Sequence, residues 1–254
     1  MHLVEVTDVE HFTPEYFKFK TSKPEGYDFK AGEFAAIGME DKKVLRAYSF
    51  TSAPEDDFLE FYSIKIQDGP LTSKLQHISV GDKIVLAKKT TGTITLDFIK
   101  PGGTLWMLAT GTGIAPFISL LRHRDTFESF DRIHVVWSVR THPEHFAYHD
   151  YLSELPIAYS PICTRDDDWR GWSERITELA ENRAIIDGDP TDNKVMVCGS
   201  PEFNYELKKM LVKRGWEVGK RKSPGTYAEE RAFVSVAAKI YRSVKKVTHR
   251  IMSS

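Results

Sequence analysis

Leu105-Trp-Met-Leu-Ala-Thr-Gly-Thr-Gly-Ile-Ala-Pro-Phe117 is the stretch that decides the fold. The apolar run Leu105–Ala109 reads as a buried strand. It enters a helix, expected over Ala115–Arg122, through Thr110-Gly-Thr-Gly-Ile-Ala-Pro116. Gly111 and Gly113 let backbone approach a phosphate, and the helix start supplies N–H groups and the positive end of a dipole. Pro116 stands where the usual dinucleotide fingerprint has its third Gly, so the loop departs from G-x-G-x-x-G. Taken alone, the loop fits a tight strand–helix turn as well as a pyrophosphate cradle.

Working outward toward the C-terminus, the same alternation recurs. Ile133–Val139 leads to a helix expected over Pro143–Leu155, with Pro143 in its first turn. Ile157–Cys163 leads to one over Ser173–Glu181, with Ser173 as N-cap. Val195–Cys198 leads to Pro201–Arg214, closed by Gly215. Repetition of strand and helix builds a parallel sheet covered on both faces, whose ligands bind beyond the carboxyl ends of the strands.

Toward the N-terminus the pattern changes at Lys100-Pro-Gly-Gly103. Before it come short alternating runs at Leu3–Val9, Tyr16–Lys20, Glu33–Met39, Leu45–Thr51, Phe58–Ile66 and Lys83–Ala87. One helical signal, Thr72–His77, interrupts them. Regular short strands predict an antiparallel Greek-key β-barrel. The expectation is a two-domain α+β chain: a barrel over residues 1–101, an α/β parallel-sheet domain over 102–234, and a basic extension over 235–254.

The 254 residues carry a net charge of −1, so nothing global points to nucleic acid or a membrane surface. Two cysteines, Cys163 and Cys198, are too few for a disulfide framework and fit a reducing compartment. No export signal precedes the first strand, and no apolar run is long enough to span a bilayer. The expected location is the cytoplasm and the expected state a monomer.

Two barrel segments carry chemistry. In Arg46-Ala-Tyr-Ser-Phe-Thr-Ser52, strand alternation puts Arg46, Tyr48 and Phe50 on one face. A cation and an aromatic there suit a phosphate and a flat ring, or an ordinary cation–aromatic pair. In Phe61-Tyr-Ser-Ile-Lys-Ile-Gln-Asp-Gly-Pro-Leu-Thr-Ser73 a strand turns into a short helix. Thr72 and Ser73 offer hydroxyls and N–H groups at its start, as an anion site or a plain N-cap.

Together these segments resemble the bacterial ferredoxin/flavodoxin–NADP⁺ reductases of the plant-type ferredoxin reductase superfamily. Arg46-x-Tyr48-Ser49 is similar to the family's flavin motif. Ser63-Ile-Lys with Gly69-Pro-Leu-Thr-Ser73 is similar to its second flavin segment. Gly111-Thr-Gly-Ile-Ala-Pro-Phe117 resembles the NADP pyrophosphate loop, and Val197-Cys-Gly-Ser-Pro201 the motif beside the nicotinamide. Gly225-x-Tyr227-x-x-Glu230-Arg-Ala-Phe-Val234 resembles the C-terminal signature. Order and spacing match over roughly residues 1–234, and all five motifs in order are highly specific.

The resemblance implies FAD and NADP(H) as cofactors, with ferredoxin or flavodoxin as partner. Tyr48 would stack on the isoalloxazine, and Arg46, Thr72 and Ser73 would hold the FAD pyrophosphate. Ser49 would lie near flavin N5, and Ala47, Ser63, Ile64, Lys65 and Leu71 would complete the flavin contacts. Gly111 and Gly113 would cradle the NADP pyrophosphate, and Thr112 and Cys198 would flank the nicotinamide. Glu230 would be the acid near the reacting atoms, so that Ser49, Cys198 and Glu230 form the catalytic set. Ala232 or Phe233 would cover the flavin's other face. Lys65, Lys74, Lys88 and Lys89 are candidates for docking an acidic partner. The same superfamily contains oxygenase reductases and free-flavin reductases, and a non-catalytic flavin subunit is a further alternative.

Sites that select NADP over NAD place Arg near the ribose 2′-phosphate. Arg140 ends the second strand of the α/β half, Arg165 follows the third, and Arg175 sits in Glu174-Arg-Ile-Thr177. The family has Gly where this chain has Glu174, and Glu where it has Asp166. His142, His145 and His149 have partial zinc-ligand spacing, but a polar helix face explains them more simply and no metal is expected.

Residues 235–254 continue past the family's usual end. Lys239, Arg242, Lys245, Lys246 and Arg250 accompany Ile240, Val244, Val247 and Ile251 at helical spacing, which predicts a basic amphipathic helix. Its expected place is on the enzyme's own surface, rooted near the flavin. Truncation after Val234 tests it: a change in NADPH oxidation or NADP⁺ affinity with both a dye and a protein acceptor marks gating of the flavin, and a change with the protein acceptor alone marks docking of a membrane-surface or acidic-partner helix. Unchanged rate and NADP⁺ affinity would remove the tail from electron transfer.

Overall fold

A computed structural model describes residues 1–66, 68–145 and 147–232. Phe233 and the expected tail helix in 235–254 lie outside the described residues.

The first half is one antiparallel sheet. Strands β1 (His2–His11), β2 (Tyr16–Ser22), β3 (Phe34–Met39), β4 (Leu45–Ser49), β5 (Phe58–Ile64) and β6 (Lys83–Thr91) lie in the order β4-β3-β6-β1-β2-β5. β1–β2 and β3–β4 are neighbours in sequence and space. β6 returns over a long connection to lie between them. The sheet curls until its edges meet at a single bridge, Phe50 to Phe61, supported by Thr51 N–H donating to the Glu60 carbonyl at 2.9 Å. Barrel-like is therefore the right description, with one bridge rather than a full ladder between β4 and β5. Inside, Phe17, Phe19, Phe50 and Phe61 are wholly buried and pack ring against ring.

The second half is a five-stranded parallel sheet. Its strands are β7 (Thr104–Thr110), β8 (Arg132–Val139), β9 (Ala158–Cys163), β10 (Asn193–Gly199) and β11 (Tyr227–Arg231), in the order β11-β10-β7-β8-β9. β10 is buried along its whole length, as a central parallel strand covered on both faces must be. The last strand lies within the C-terminal motif, whose Tyr227-Ala-Glu-Glu-Arg231 pairs in register with Val195–Gly199.

Helices α2 (Ala115–Arg122) and α6 (Pro201–Lys213) lie where the sequence puts them. In α6 the Ser200 hydroxyl accepts the Phe203 N–H at 3.2 Å, an N-cap beside Pro201. Helix α1 (Thr72–Leu75) is one turn, and a short α3 (Arg124–Ser129) follows α2 directly.

Two expected helices are shorter than the pattern suggested. Instead of one helix over 143–155 there is a 3₁₀ turn, His142–His145, and then α4 (His149–Glu154). The Glu144 carboxylate accepts the Thr141 hydroxyl at 3.1 Å and the Arg140 N–H at 3.4 Å, which winds the chain tightly at Pro143. Helix α5 runs Ile176–Glu181 with Arg175, not Ser173, at its N-cap. The Glu178 carboxylate takes the Arg175 N–H (3.3 Å), so the first turn closes two residues later.

The halves share one hydrophobic cluster. Tyr16, Tyr62, Ile94 and Ile99 of the first pack with Ile114, Phe117, Leu121 and Trp137 of the second. α2 is the wedge between them, with every residue from Ala115 to Leu121 buried. Its Ser119 is wholly buried because it has partners on the other half: the hydroxyl donates to the Ser52 carbonyl (2.7 Å) and accepts the Gly32 N–H (3.1 Å).

One turn on, Arg122 Nη1 lies 3.0 Å from Glu60 Oε1. The guanidinium is poorly aligned for a hydrogen bond, so the contact is chiefly coulombic. Glu60 is 1 % exposed and also accepts from the Thr51 hydroxyl (2.8 Å) and the Tyr148 hydroxyl (3.2 Å). Removing one member of a buried pair strands the other, so Arg122→Leu should destabilise by about 3 kcal/mol. Replacing Glu60 as well, in Arg122→Leu/Glu60→Leu, should restore part of that loss. Urea unfolding of the three proteins checks both, and an Arg122→Leu protein as stable as the parent would refute the pairing.

Candidate functional site

The β4 motif runs from solvent into the core. Arg46 and Ala47 are exposed, Tyr48 and Ser49 half-buried, and Phe50 wholly buried. The Arg46 guanidinium donates to the preceding Leu45 carbonyl (2.8 Å) and stands at the exposed rim. The Tyr48 hydroxyl and Ser63 Oγ lie 3.1 Å apart, which joins the Arg46–Ser52 segment to the Phe61–Ser73 segment. Burial is the main reason the Tyr48 phenol is pushed above its ordinary range. The ring is clamped edge-on by Phe61 at 6.4 Å. A half-buried ring held at hydroxyl and edge keeps a face for stacking.

The second segment turns through Asp68, whose φ of 59° is left-handed, into α1. A β-carbon on Gly69 would stand 2.1 Å from Thr72 Oγ1, so a side chain there would displace that hydroxyl. Leu71 is buried, and Thr72 and Ser73 are half-buried. The Thr72 hydroxyl turns back to the Ile66 carbonyl at 3.3 Å. Ser63 is buried, while Ile64 and Lys65 are half-buried, with Lys65 N–H bonded to the Glu15 carbonyl (2.6 Å).

Across the junction, Gly111–Ile114 form a 3₁₀ turn that packs against β5. Gly111 has φ 53°, and its carbonyl accepts the Trp137 indole N–H at 2.8 Å. A β-carbon on Gly113 would come within 2.2 Å of the Cys198 carbonyl oxygen. One on Gly199 would come within 2.2 Å of Thr110 Oγ1. Glycines are thus required where the two loops close on each other, and this cradle fits a dinucleotide laid across the strand ends. Thr112 is half-exposed at its lip. Cys198 is 2 % exposed, and burial drives its thiol well above the usual range, with Glu230 adding to the effect. It is a protonated packing group, which suits positioning rather than nucleophilic chemistry.

Glu230 lies beside Cys198 in the β10–β11 register. Its Oε2 accepts the Thr93 N–H at 2.8 Å, so the C-terminal strand grips the first half. Burial pushes its carboxyl up to about 7, against the Thr93 donors that lower it and with Glu33 raising it further. Ala232 N–H donates to the Gly199 carbonyl (3.0 Å), which ties the residue after β11 to the end of β10. Thr93 and Glu33, which place and tune Glu230, carried no sequence signal.

Arg140 and Arg165 emerge exposed at adjacent strand ends, joined by Arg165 N–H to the Arg140 carbonyl at 2.9 Å. Arg175 stands apart from them electrostatically, because Glu206 Oε2 holds its Nη2 at 3.0 Å. Glu174, which stands where the family has Gly, accepts the Ser173 N–H (3.2 Å). His142 pairs with Asp166 and His149 leans on Tyr159. Among the described residues no three His, Cys, Asp or Glu side chains gather as a metal site. Of the lysines expected as docking candidates, Lys74 is paired with Asp41 at 3.1 Å, whereas Lys88 and Lys89 are exposed on β6. No helix among the described residues is long and apolar enough to cross a membrane.

Comparison with known proteins agrees with this arrangement. The family model for the oxidoreductase NAD-binding domain matches residues 107–209. A flavodoxin/ferredoxin–NADP reductase of Rhodobacter capsulatus is 39 % identical, covering 90 % of this chain and 92 % of that protein. Ferredoxin–NADP reductase A of Sorangium cellulosum is 38 % identical, covering 90 % and 88 %. A solved ferredoxin NADP⁺ reductase from Neisseria gonorrhoeae, with bound FAD and NADP, superposes with a TM-score of 0.85. It is 33 % identical, with 91 % of this chain and 98 % of that one covered.

The raised Glu230 carboxyl makes a signed prediction. Its folded value of about 7 lies above the ordinary 4.5. Protonation therefore favours folding: that contribution is fully present below the unfolded value and is lost as pH rises through the folded one. At roughly 1.4 kcal/mol per unit the loss is at most about 3.5 kcal/mol. Glu230→Gln, which stays neutral, should exceed the parent in denaturant stability at pH 8 and lose most of that margin at pH 5. A margin independent of pH would show that Glu230 does not titrate in this range.

Proposed function

The chain belongs to the ferredoxin/flavodoxin–NADP⁺ reductase family, and on that footing we propose that it takes hydride from NADPH onto FAD and delivers single electrons to a ferredoxin or flavodoxin. The observation that carries this reading is the junction itself. The Tyr48–Ser63 pair on the barrel and the Gly111–Gly113 cradle on the parallel sheet meet where the 3₁₀ turn packs against β5.

FAD, when bound, supplies the exchange between a two-electron hydride and one-electron steps. The residues present contribute placement. Tyr48 offers its ring face, and Arg46 with Thr72 and Ser73 offers donors to the pyrophosphate. Ser49, at the strand end two residues short of the Thr51–Glu60 contact, sits on a rigid edge. The glycine loops bring the coenzyme backbone onto the strand ends, with Thr112 and Cys198 at the nicotinamide. Hydride transfer needs no general base, so these groups act through alignment and exclusion of water. Burial lifts the Glu230 carboxyl to about 7, so near neutral pH it exchanges a proton at the crevice. Arg140 and Arg165 select the 2′-phosphate, with Arg175 withheld by Glu206.

Residues 1–101 are assigned to the flavin unit and 102–234 to the coenzyme unit, in a monomer that works in the cytoplasm. For an acidic partner, Lys88 and Lys89 are the basic groups in position. Their neighbour Thr90 pairs with Ala35, which pairs with Tyr48, two strand spacings or about 10 Å in all.

Anaerobic titration tests the reading. One equivalent of NADPH should bleach the yellow protein, and oxidised flavodoxin or ferredoxin should restore the colour. NADH should be one to two decades less efficient, the equivalent of one charged contact of roughly 1.5–3 kcal/mol. A protein that binds FAD but is not reduced by NADPH would be an inert flavin binder, and the proposal would fall.

A further inference from the structure

We infer that Glu33 is a positioning residue for Glu230, and that a small polar cavity beside the two holds the water through which the Glu230 proton reaches solvent. The inference rests on the proposed reductase reading for the use of that proton. Neither Glu33 nor Thr95, on which it turns, belongs to the motifs that carry the family resemblance.

Glu33 lies at the foot of β3 and is 7 % exposed. One carboxylate oxygen, Oε2, accepts the Lys30 N–H at 3.0 Å and the Thr90 hydroxyl at 2.6 Å. The other, Oε1, has no donor among the described residues. Beside it lies a cavity of about 40 Å³, walled by Glu33, Gly92, Thr95 and Asp97 with the exposed Arg221 on its outer side. That is room for about two water molecules. Thr95 is 2 % exposed, and its buried hydroxyl has no partner among the described residues. An orphan hydroxyl and an orphan carboxylate oxygen on the walls of one polar cavity are the partners a buried water requires.

Gly92 joins this cavity to Glu230. A β-carbon on it would stand 3.1 Å from Glu33 Cα and 3.3 Å from Glu230 Oε2. The missing side chain therefore leaves a gap with one carboxyl-bearing residue on each side. The next residue, Thr93, fixes Glu230 there through its N–H, while its hydroxyl is spent on the Glu229 carbonyl at 2.5 Å. The closeness is felt at Glu230, whose carboxyl is raised first by burial and further by the charge of Glu33.

The other polar and charged groups around the pair are engaged elsewhere. Lys30 Nζ pairs with Asp97, the cavity's other acid. On β11, Glu229 is taken by Lys208 at 2.5 Å and by the Tyr227 hydroxyl at 2.9 Å, and Arg231 is exposed. On β10, Cys198 is a neutral thiol, and from α6 the Asn204 amide donates to the Glu230 carbonyl at 2.8 Å. On the barrel side, the Tyr27 hydroxyl donates to the Ala87 carbonyl at 2.9 Å, its phenol raised first by burial and then by Glu33. Oxidation of one NADPH to NADP⁺ yields two electrons and one proton. The electrons leave for the acceptor, and the proton needs a way to water. Glu230 at the crevice, Glu33 across Gly92 and the cavity under Arg221 supply it, with Lys30 held off by Asp97.

The test uses the FAD-loaded protein. Infrared pH titration follows the C=O stretch of protonated Glu230, identified by its loss in Glu230→Gln. Glu33→Gln keeps the side chain's shape and removes its charge, so the midpoint of that band should move to lower pH. The same variant, reduced by NADPH and reoxidised by ferricyanide, should give up its electrons roughly tenfold more slowly, since Glu33 acts behind Glu230 rather than on the reacting atom. Thr95→Val removes only the orphan hydroxyl. It should also slow reoxidation, and it should gain no stability. An unmoved midpoint in Glu33→Gln overturns the inference, as does reoxidation at the parental rate in either variant. A Thr95→Val protein more stable than the parent overturns it too, since that is the result for a hydroxyl that holds no water. A parent that NADPH does not bleach fells the reductase reading and with it the use of the proton, while the infrared midpoint, which needs no coenzyme, still decides the Glu33–Glu230 pairing.

Discussion

The burial of β5 on both faces is the constraint from which the working geometry follows. A strand at the edge of a barrel ordinarily keeps one face in water. Here Leu59 to Ser63 are all buried, because α2 and Tyr148 of the second half cover the outer face. That cover forces a decision about Glu60, the one charge in the run. A carboxylate in such a place has to be met by hydrogen bonds and a cation, and it is met by Thr51 from its own half and by Tyr148 and Arg122 from the other. The contact is specific as well as adhesive, since the halves cannot slide without stranding a charge.

This rigid seam is what a hydride donor and acceptor on different halves need. Ring-to-ring transfer tolerates little misplacement. The elements at the seam are short and stiff: a glycine turn locked by Trp137, a tyrosine locked by Ser63, and a C-terminal strand locked to Thr93. Each lock crosses from one element to another, so the crevice is set by packing rather than by loop preference.

The fold was legible because its periodicities are local. Alternation in the first half, and strand–glycine–helix repetition in the second, are properties of a few adjacent residues. The site motifs were legible for the same reason, since Arg46-x-Tyr48-Ser49 and Gly111-Thr-Gly113 are contiguous. What escaped depends on partners far away in sequence. Ser119 within an apolar helix and Glu60 within an apolar strand were visible anomalies, but only the other half explains them. The split of the 143–155 helix depends on where the Glu144 carboxylate turns. The strand at Tyr227–Arg231 needed β10 beside it. Arg175 was already set apart in sequence by Glu174 beside it, but its pairing with Glu206, from a helix about thirty residues on, was not visible there.

The walled-in thiol of Cys198 bears on how such a protein endures its own work. An oxidoreductase that handles electrons in air generates peroxide close to its own side chains. Oxidation of sulfur begins with the thiolate and requires access, and this sulfur is both protonated and covered. A cysteine in the crevice can therefore supply a small, polarizable contact without becoming sulfenic acid. Chemical durability is thus obtained from burial alone, with no second thiol held nearby to repair the first.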